Sequence, residues 1–111
     1  MKNAWMISVA RERAEQVYVH GHTEERDVQE NTDDQLIKGA VALVEKDYKP
    51  ALSAEEIDAL CPAGWNLEGW RKMYNKERKE RTIKACALLA AQIDLIENIE
   101  LVKTTKTKRN K

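Results

Sequence analysis

Phenylalanine is absent from this chain of 111 residues, aromatics make up only 5% of it, and it holds just 4 glycines and 2 prolines. A sheet-rich fold needs β-branched and aromatic residues on its strands and frequent turn residues between them, so the scarcity of aromatics and turn formers argues against one. Two cysteines, Cys61 and Cys86, stand far apart in sequence and suggest neither a disulfide framework nor a cysteine-based zinc site. Cys86 lies inside the apolar run from Ala85 to Ala91, where a free thiol is expected to act as a small buried hydrophobe. No apolar stretch reaches the ~20 residues of a membrane span. The apolar patch from Ala4 to Ala10 ends in Arg11, Glu12 and Arg13 without a small-residue cleavage site, so it does not read as a secretory leader. No membrane association is expected, and a reducing cytoplasm is the simplest setting.

What the chain has instead is charge. Charged residues make up 34% of it and the formal net charge is zero, but the balance conceals a separation along the sequence. From Glu24 to Asp34 there are six acids (Glu24, Glu25, Asp27, Glu30, Asp33, Asp34) against Arg26 alone. From Arg71 to Lys84 there are seven bases (Arg71, Lys72, Lys76, Arg78, Lys79, Arg81, Lys84) against Glu77 and Glu80. An acidic segment able to hold a divalent cation and a basic one able to meet phosphates suit a metal-nucleotide ligand, while the plainer reading is two solvated faces that pair with each other.

The apolar spacing predicts helices. The first is expected from Ala4 to Val19, with Asn3 as its cap and Met6, Ala10, Ala14 and Val17 on the inward face; Gly21 ends it. Residues 20–31 have no apolar period and read as an exposed loop. Thr32-Asp33-Asp34-Gln35 has the form of a capping box opening a second helix to Lys46, with Leu36, Ala40, Leu43 and Val44 inward. Gly39 within it costs about 1 kcal/mol against Ala, which a close interhelical contact would explain. Ser53-Ala54-Glu55-Glu56 is another capping box, opening a short helix that Pro62 ends near Leu60. A turn over 62–66, a helical piece from Leu67 to Tyr74 and a long last helix from Lys76 to Val102, capped by Asn75, complete the chain. The last helix is apolar over most of its circumference, which places it at a bundle centre or in a subunit interface. The expected organisation is one all-α domain of four or five helices over 1–102, followed by a frayed basic tail over 103–111. A chain of this length often gains stability by pairing, so a homo-oligomer is expected.

Two blocks of the sequence carry a resemblance. One is Glu12-Arg13-x-x-Gln16-Val17-x-x-x-Gly21 running into Glu24-Glu25-Arg26-Asp27, and the other is Lys84-Ala85-x-Ala87-Leu88-Leu89-x-Ala91-Gln92-Ile93-Asp94. They resemble the small phage-borne relatives of the MazG nucleotide pyrophosphohydrolases, which carry E-R-x-x-Q-I-x-x-x-G, then E-H-D, and later K-A-x-A-L-x-x-A-E-I-D. The resemblance covers about residues 7–43 and 65–96. It implies a helical bundle of the MazG-like type that hydrolyses a nucleoside triphosphate to the monophosphate and pyrophosphate with Mg2+. Glu12, Glu25, Asp27 and Asp94 would hold the metal, with Glu25 and Asp27 also activating water. Arg13 and Lys84 would position phosphates, although each can equally make an ion pair within the bundle. A phage origin, and hence a bacterial host cytoplasm, follows from the same likeness.

This chain departs from that pattern at Gln35 and Gln92, where such relatives usually hold glutamate, and at Arg26, where they hold histidine. A glutamine offers one oxygen to a cation but no charge, and it cannot serve as a carboxylate base. The alternative is therefore a non-catalytic binding protein on the same scaffold, sequestering a nucleotide or docking on a host protein. Trp65 and Trp70 either stack on a base or close the core, with packing the commoner role. His20 and His22 flank Gly21 with no Cys or third His nearby, so they read as loop residues rather than metal ligands. The basic tail lacks interleaved aromatics, and nucleic acid is not an expected partner.

Overall fold

The computed structural model describes residues 3–18 and 34–109. These residues form five α-helices and no strand: α1 (Ala4–Tyr18), α2 (Gln35–Glu45), α3 (Ala54–Ala59), α4 (Leu67–Tyr74) and α5 (Arg78–Arg109). The all-α architecture expected from composition and spacing is the one observed. The apolar residues of α2 meet those of α5, and Leu36, Ala40 and Leu43 form one core with Ala85, Leu88, Ala91 and Leu95. Trp70 and Tyr74 of α4 complete it. The alanines of α5 let α2 approach closely, while Leu36 and Leu43, both fully buried, fill the space between the larger side chains.

Several boundaries differ from the sequence expectation, each for a local reason. Helix α2 begins at Gln35, and its N-cap is Asp34 at φ 62 with no side-chain cap bond; Thr32 lies outside the described residues. Asn75 closes α4 instead of opening α5, its N–H bonding back to the Arg71 carbonyl. Asn66, placed in a turn by sequence, is the cap of α4: its side chain accepts from Gly69 N at 2.7 Å. The Ser53 capping box forms as expected, with Ser53 Oγ accepting from Glu56 N and Glu56 Oε1 accepting from Ser53 N, both at 3.1 Å. Helix α5 continues to Arg109, past the expected stop at Val102, because no Gly or Pro interrupts its C-terminal stretch. Val44, expected inward, is exposed, and so is Cys86, because only part of the apolar circumference of α5 is covered.

The segment between α2 and α5 braces the core. Gly39 lies directly beneath Trp65: a Cβ there would stand 2.9 Å from two carbons of the indole ring. The close contact inferred for Gly39 thus exists, but with a side chain of the connecting segment instead of another helix. Trp70 is buried and donates its indole N–H to the Ile57 carbonyl at 2.9 Å, with Trp65 edge-on to it at 6.4 Å. Packing, therefore, is what Trp70 does here. At the junction of α2 with the start of α5, buried Arg81 donates to both oxygens of Asp47, at 2.6 and 3.2 Å, and to the carbonyls of Leu43 and Lys76. The guanidinium bond to Asp47 holds that carboxyl below its usual range, against the opposing effect of desolvation.

Candidate functional site

Helix α1 packs on α5, and it does so with its polar side. The expected inward stripe is turned out: Met6 is 53% exposed, its neighbour Trp5 is 63% exposed, and Ala10 and Ala14 are also on the surface. Val17, the last residue of that stripe, has its side chain outside the described set. The residues turned in are Ser8, Val9, Glu12, Arg13 and, four positions after Glu12 and so on the same helical face, Gln16, which is 4% exposed. Withdrawing charge from water opposes folding unless each charge is paired, so this side of α1 depends on partners across the helix contact.

The ion pairs cross between the two helices. Lys84 Nζ lies 2.6 Å from Glu12 Oε1, with both side chains largely withdrawn from water, at 15% and 11% exposure. Arg13 lies 3.7 Å from Asp94, a looser contact whose carboxylate is 43% exposed. Each helix contributes one acid and one base, so this part of the face is neutral. One helical turn after Glu12, both amide atoms of Gln16 are buried without a hydrogen-bond partner; Gln92 Oε1 on α5 is buried and unbonded too, at a position that shares the helical side of Ala85 and Leu88. Leaving a buried amide unpaired costs on the order of 1–3 kcal/mol, a cost that stability alone gives no reason to retain.

Of the residues that sequence nominated, the fold pairs Glu12 with Lys84 and Arg13 with Asp94, two separate contacts whose α5 members stand about 15 Å apart along the helix. Gln35, at the start of α2, is buried. Glu24, Glu25, Asp27, Arg26, His20 and His22 lie outside the described residues, so the loop half of the nominated site has no description here. Sequence reasoning treated Gln16 only as a motif letter. Its spacing from Glu12 was the available signal that it shares the inward face. The basic segment leading into α5 makes ion pairs within the fold: Arg81 holds Asp47, which Arg78 also approaches at 3.7 Å, Arg71 holds Asp58 at 2.7 Å, and Lys72 faces Glu68 at 3.9 Å.

Among the described residues no three His, Cys, Asp or Glu side chains gather as a metal-holding group, and no helix is long and apolar enough to cross a membrane. Comparisons with family models, curated proteins and solved structures find no match for this chain. The oxygens on this side of the fold that could meet a hard cation are the carboxylates of Glu12 and Asp94, each already in an ion pair, and the unbonded amide oxygen of Gln16.

Proposed function

We propose that the α1–α5 face binds a nucleotide and that the protein is a Mg2+-dependent nucleotide pyrophosphohydrolase of the MazG-like type, acting on a nucleoside triphosphate or related nucleotide. The observations that support this reading are the two acid–base contacts between α1 and α5, Glu12 with Lys84 and Arg13 with Asp94, and the buried, unbonded amide of Gln16 one helical turn after Glu12. Both sequence blocks that carry the family resemblance contribute to this one face. Magnesium, when bound, supplies charge neutralisation along the phosphate chain and a lowered pKa for an attacking water.

The chain's own residues would divide the remaining work. Glu12 and Asp94 would supply carboxylates to the cation, joined by Glu25 and Asp27 of the acidic segment, one of which would take a proton from water. Lys84 and Arg13 meet phosphate oxygens, Arg13 with the planar fork suited to them. Gln16 offers both a donor and an acceptor to the ligand. The exposed apolar residues Trp5, Met6 and Ile7 of α1, with Leu89, Ile93 and Ile96 of α5, support a homo-oligomer. The resemblance also carries the proposal of phage origin and action in a bacterial cytoplasm.

The test is incubation of the full chain with a nucleotide panel and MgCl2, reading pyrophosphate release and melting temperature together. Release from at least one nucleotide, abolished in Asp27→Asn without loss of fold, is expected. A second reading, ligand binding without hydrolysis, is favoured by the neutral amides at positions 35 and 92. It predicts a thermal shift with no release. Neither release nor shift with any nucleotide would overturn both readings.

A further inference from the structure

The tighter of the two pairs ties up Glu12, a carboxylate that the proposed function assigns to the cation. Glu12 and Lys84 meet at 2.6 Å with side chains only 11% and 15% exposed, so neither charge can be left alone there without a large desolvation penalty. A divalent ion arriving by itself would have to share Glu12 with an ammonium, or push the ammonium aside and stand next to it. A phosphate arriving by itself would draw Lys84 away and strand Glu12 as an uncompensated carboxylate. When both arrive, each charge finds a partner: the metal replaces Lys84 at Glu12, and the phosphate receives Lys84. Gln16, one helical turn beyond Glu12 and without any partner, supplies further polar atoms whose needs are met only when the face is filled.

We propose that Lys84 is a built-in stand-in for the cation, holding Glu12 until metal and phosphate arrive together and then passing from carboxylate to phosphate. The face therefore takes up the two ligands as a coupled pair, and by linkage each raises the affinity of the other. This rests on the nucleotide reading above but goes beyond it, since it states an order of loading and names the side chain that enforces it. The Arg13–Asp94 contact is longer and more open, so it should enforce the coupling less.

The test is calorimetric titration of the full chain with two probes, MgCl2 and inorganic tripolyphosphate, each alone and together. Removing the stand-in with Lys84→Met should have effects of opposite sign. Mg2+ alone should bind about tenfold tighter, and tripolyphosphate with Mg2+ about tenfold weaker. A lysine with a merely structural role would not produce that reversal. As a second arm, Glu12→Gln releases the ammonium, so tripolyphosphate in the presence of EDTA should bind about tenfold tighter than it does to the parent. Unchanged Mg2+ affinity in Lys84→Met, changes of the same sign for both probes, or unimproved tripolyphosphate binding in Glu12→Gln would overturn the proposal. The parent reading fails separately: the sign reversal without pyrophosphate release from any nucleotide removes the enzyme and leaves the exchange. Release together with same-sign changes removes the exchange and leaves the enzyme.

Discussion

Helix α5 packs against two neighbours in two different ways. Toward α2 it presents Ala85, Leu88, Ala91 and Leu95, and the contact is dry, closed at one end by Arg81 with its hydrogen-bonding needs met by Asp47 and two carbonyls. Toward α1 it presents Lys84 and Asp94, and the contact is made of ion pairs around an amide that bonds to nothing. The first contact does what a folded core must do, removing apolar surface from water at roughly 25 cal/mol per Å2. The second stabilises little for the desolvation it requires, which is the pattern expected where a face is kept for a ligand. One helix thus turns an apolar side to α2 and ion-pairing residues to α1.

The largest effect that would break this comparison lies in the core. Leu88 is 2% exposed between α2 and α5, so Leu88→Asp buries a charge with no partner and should lower unfolding free energy by about 3–5 kcal/mol. Chemical denaturation measures it. A variant as stable as the parent would show that the dry face is not the main source of stability.

Next in size is Gly39→Ala. Helix propensity alone favours alanine by about 1 kcal/mol, but its Cβ would stand 2.9 Å from the Trp65 ring, so the indole must shift. Overpacking of this kind costs ~1–3 kcal/mol, and the net change should be destabilising, accompanied by a change in tryptophan fluorescence. A gain in melting temperature would mean that Trp65 yields freely and does not brace α2.

A third prediction concerns pH at the closed end of the dry contact. The Arg81 hydrogen bond depresses the Asp47 carboxyl in the folded protein, so Asp47 contributes stability that is fully present above its unfolded value. That contribution is lost as pH falls through the depressed folded value. Asp47→Asn should accordingly melt below the parent by a constant margin at neutral pH, with the margin narrowing below about pH 4. An unchanged margin in acid would assign the effect to packing around Arg81 instead of to the carboxylate's charge.

How much of this was legible in the sequence follows the same division. The α2 positions Leu36, Ala40 and Leu43 and the α5 positions Leu88, Ala91 and Leu95 were readable because apolar spacing reports burial when a helix buries its apolar side. For α1 the same rule pointed the wrong way, since Met6, Ala10 and Ala14 face out and Gln16 faces in. Periodicity cannot reveal a helix that buries its polar side. Only the motif spacing of Glu12, Arg13 and Gln16 held that information. Asp34 and Asn75 show a second limit, because residue type alone does not assign a cap: Asn31, Thr32, Asp33 and Asp34 all stood close to the first boundary, and Asn75, the one candidate at the second, closes a helix instead of opening one.

The smallest expected stability change is also the one of opposite sign, and it separates the two faces of α5 most directly. Gln16 is 4% exposed with both amide atoms unpaired, so replacing it by leucine of similar volume removes a buried polar group without opening a cavity. If the α1–α5 face is retained for a ligand, Gln16→Leu should leave the empty protein as stable as the parent or more so by about 1 kcal/mol. It should also weaken binding of tripolyphosphate with Mg2+. Truncating a core leucine such as Leu36, Leu43 or Leu88 should do the opposite, lowering stability, because those side chains are almost wholly withdrawn from water. Denaturation and calorimetry on the same variant decide the point. A loss of stability in Gln16→Leu would mean that the amide is bonded in solution and that α1 is held by the same ordinary packing as α2, while a gain in stability with unchanged binding would remove Gln16 from the site and leave its burial without a ligand to explain it.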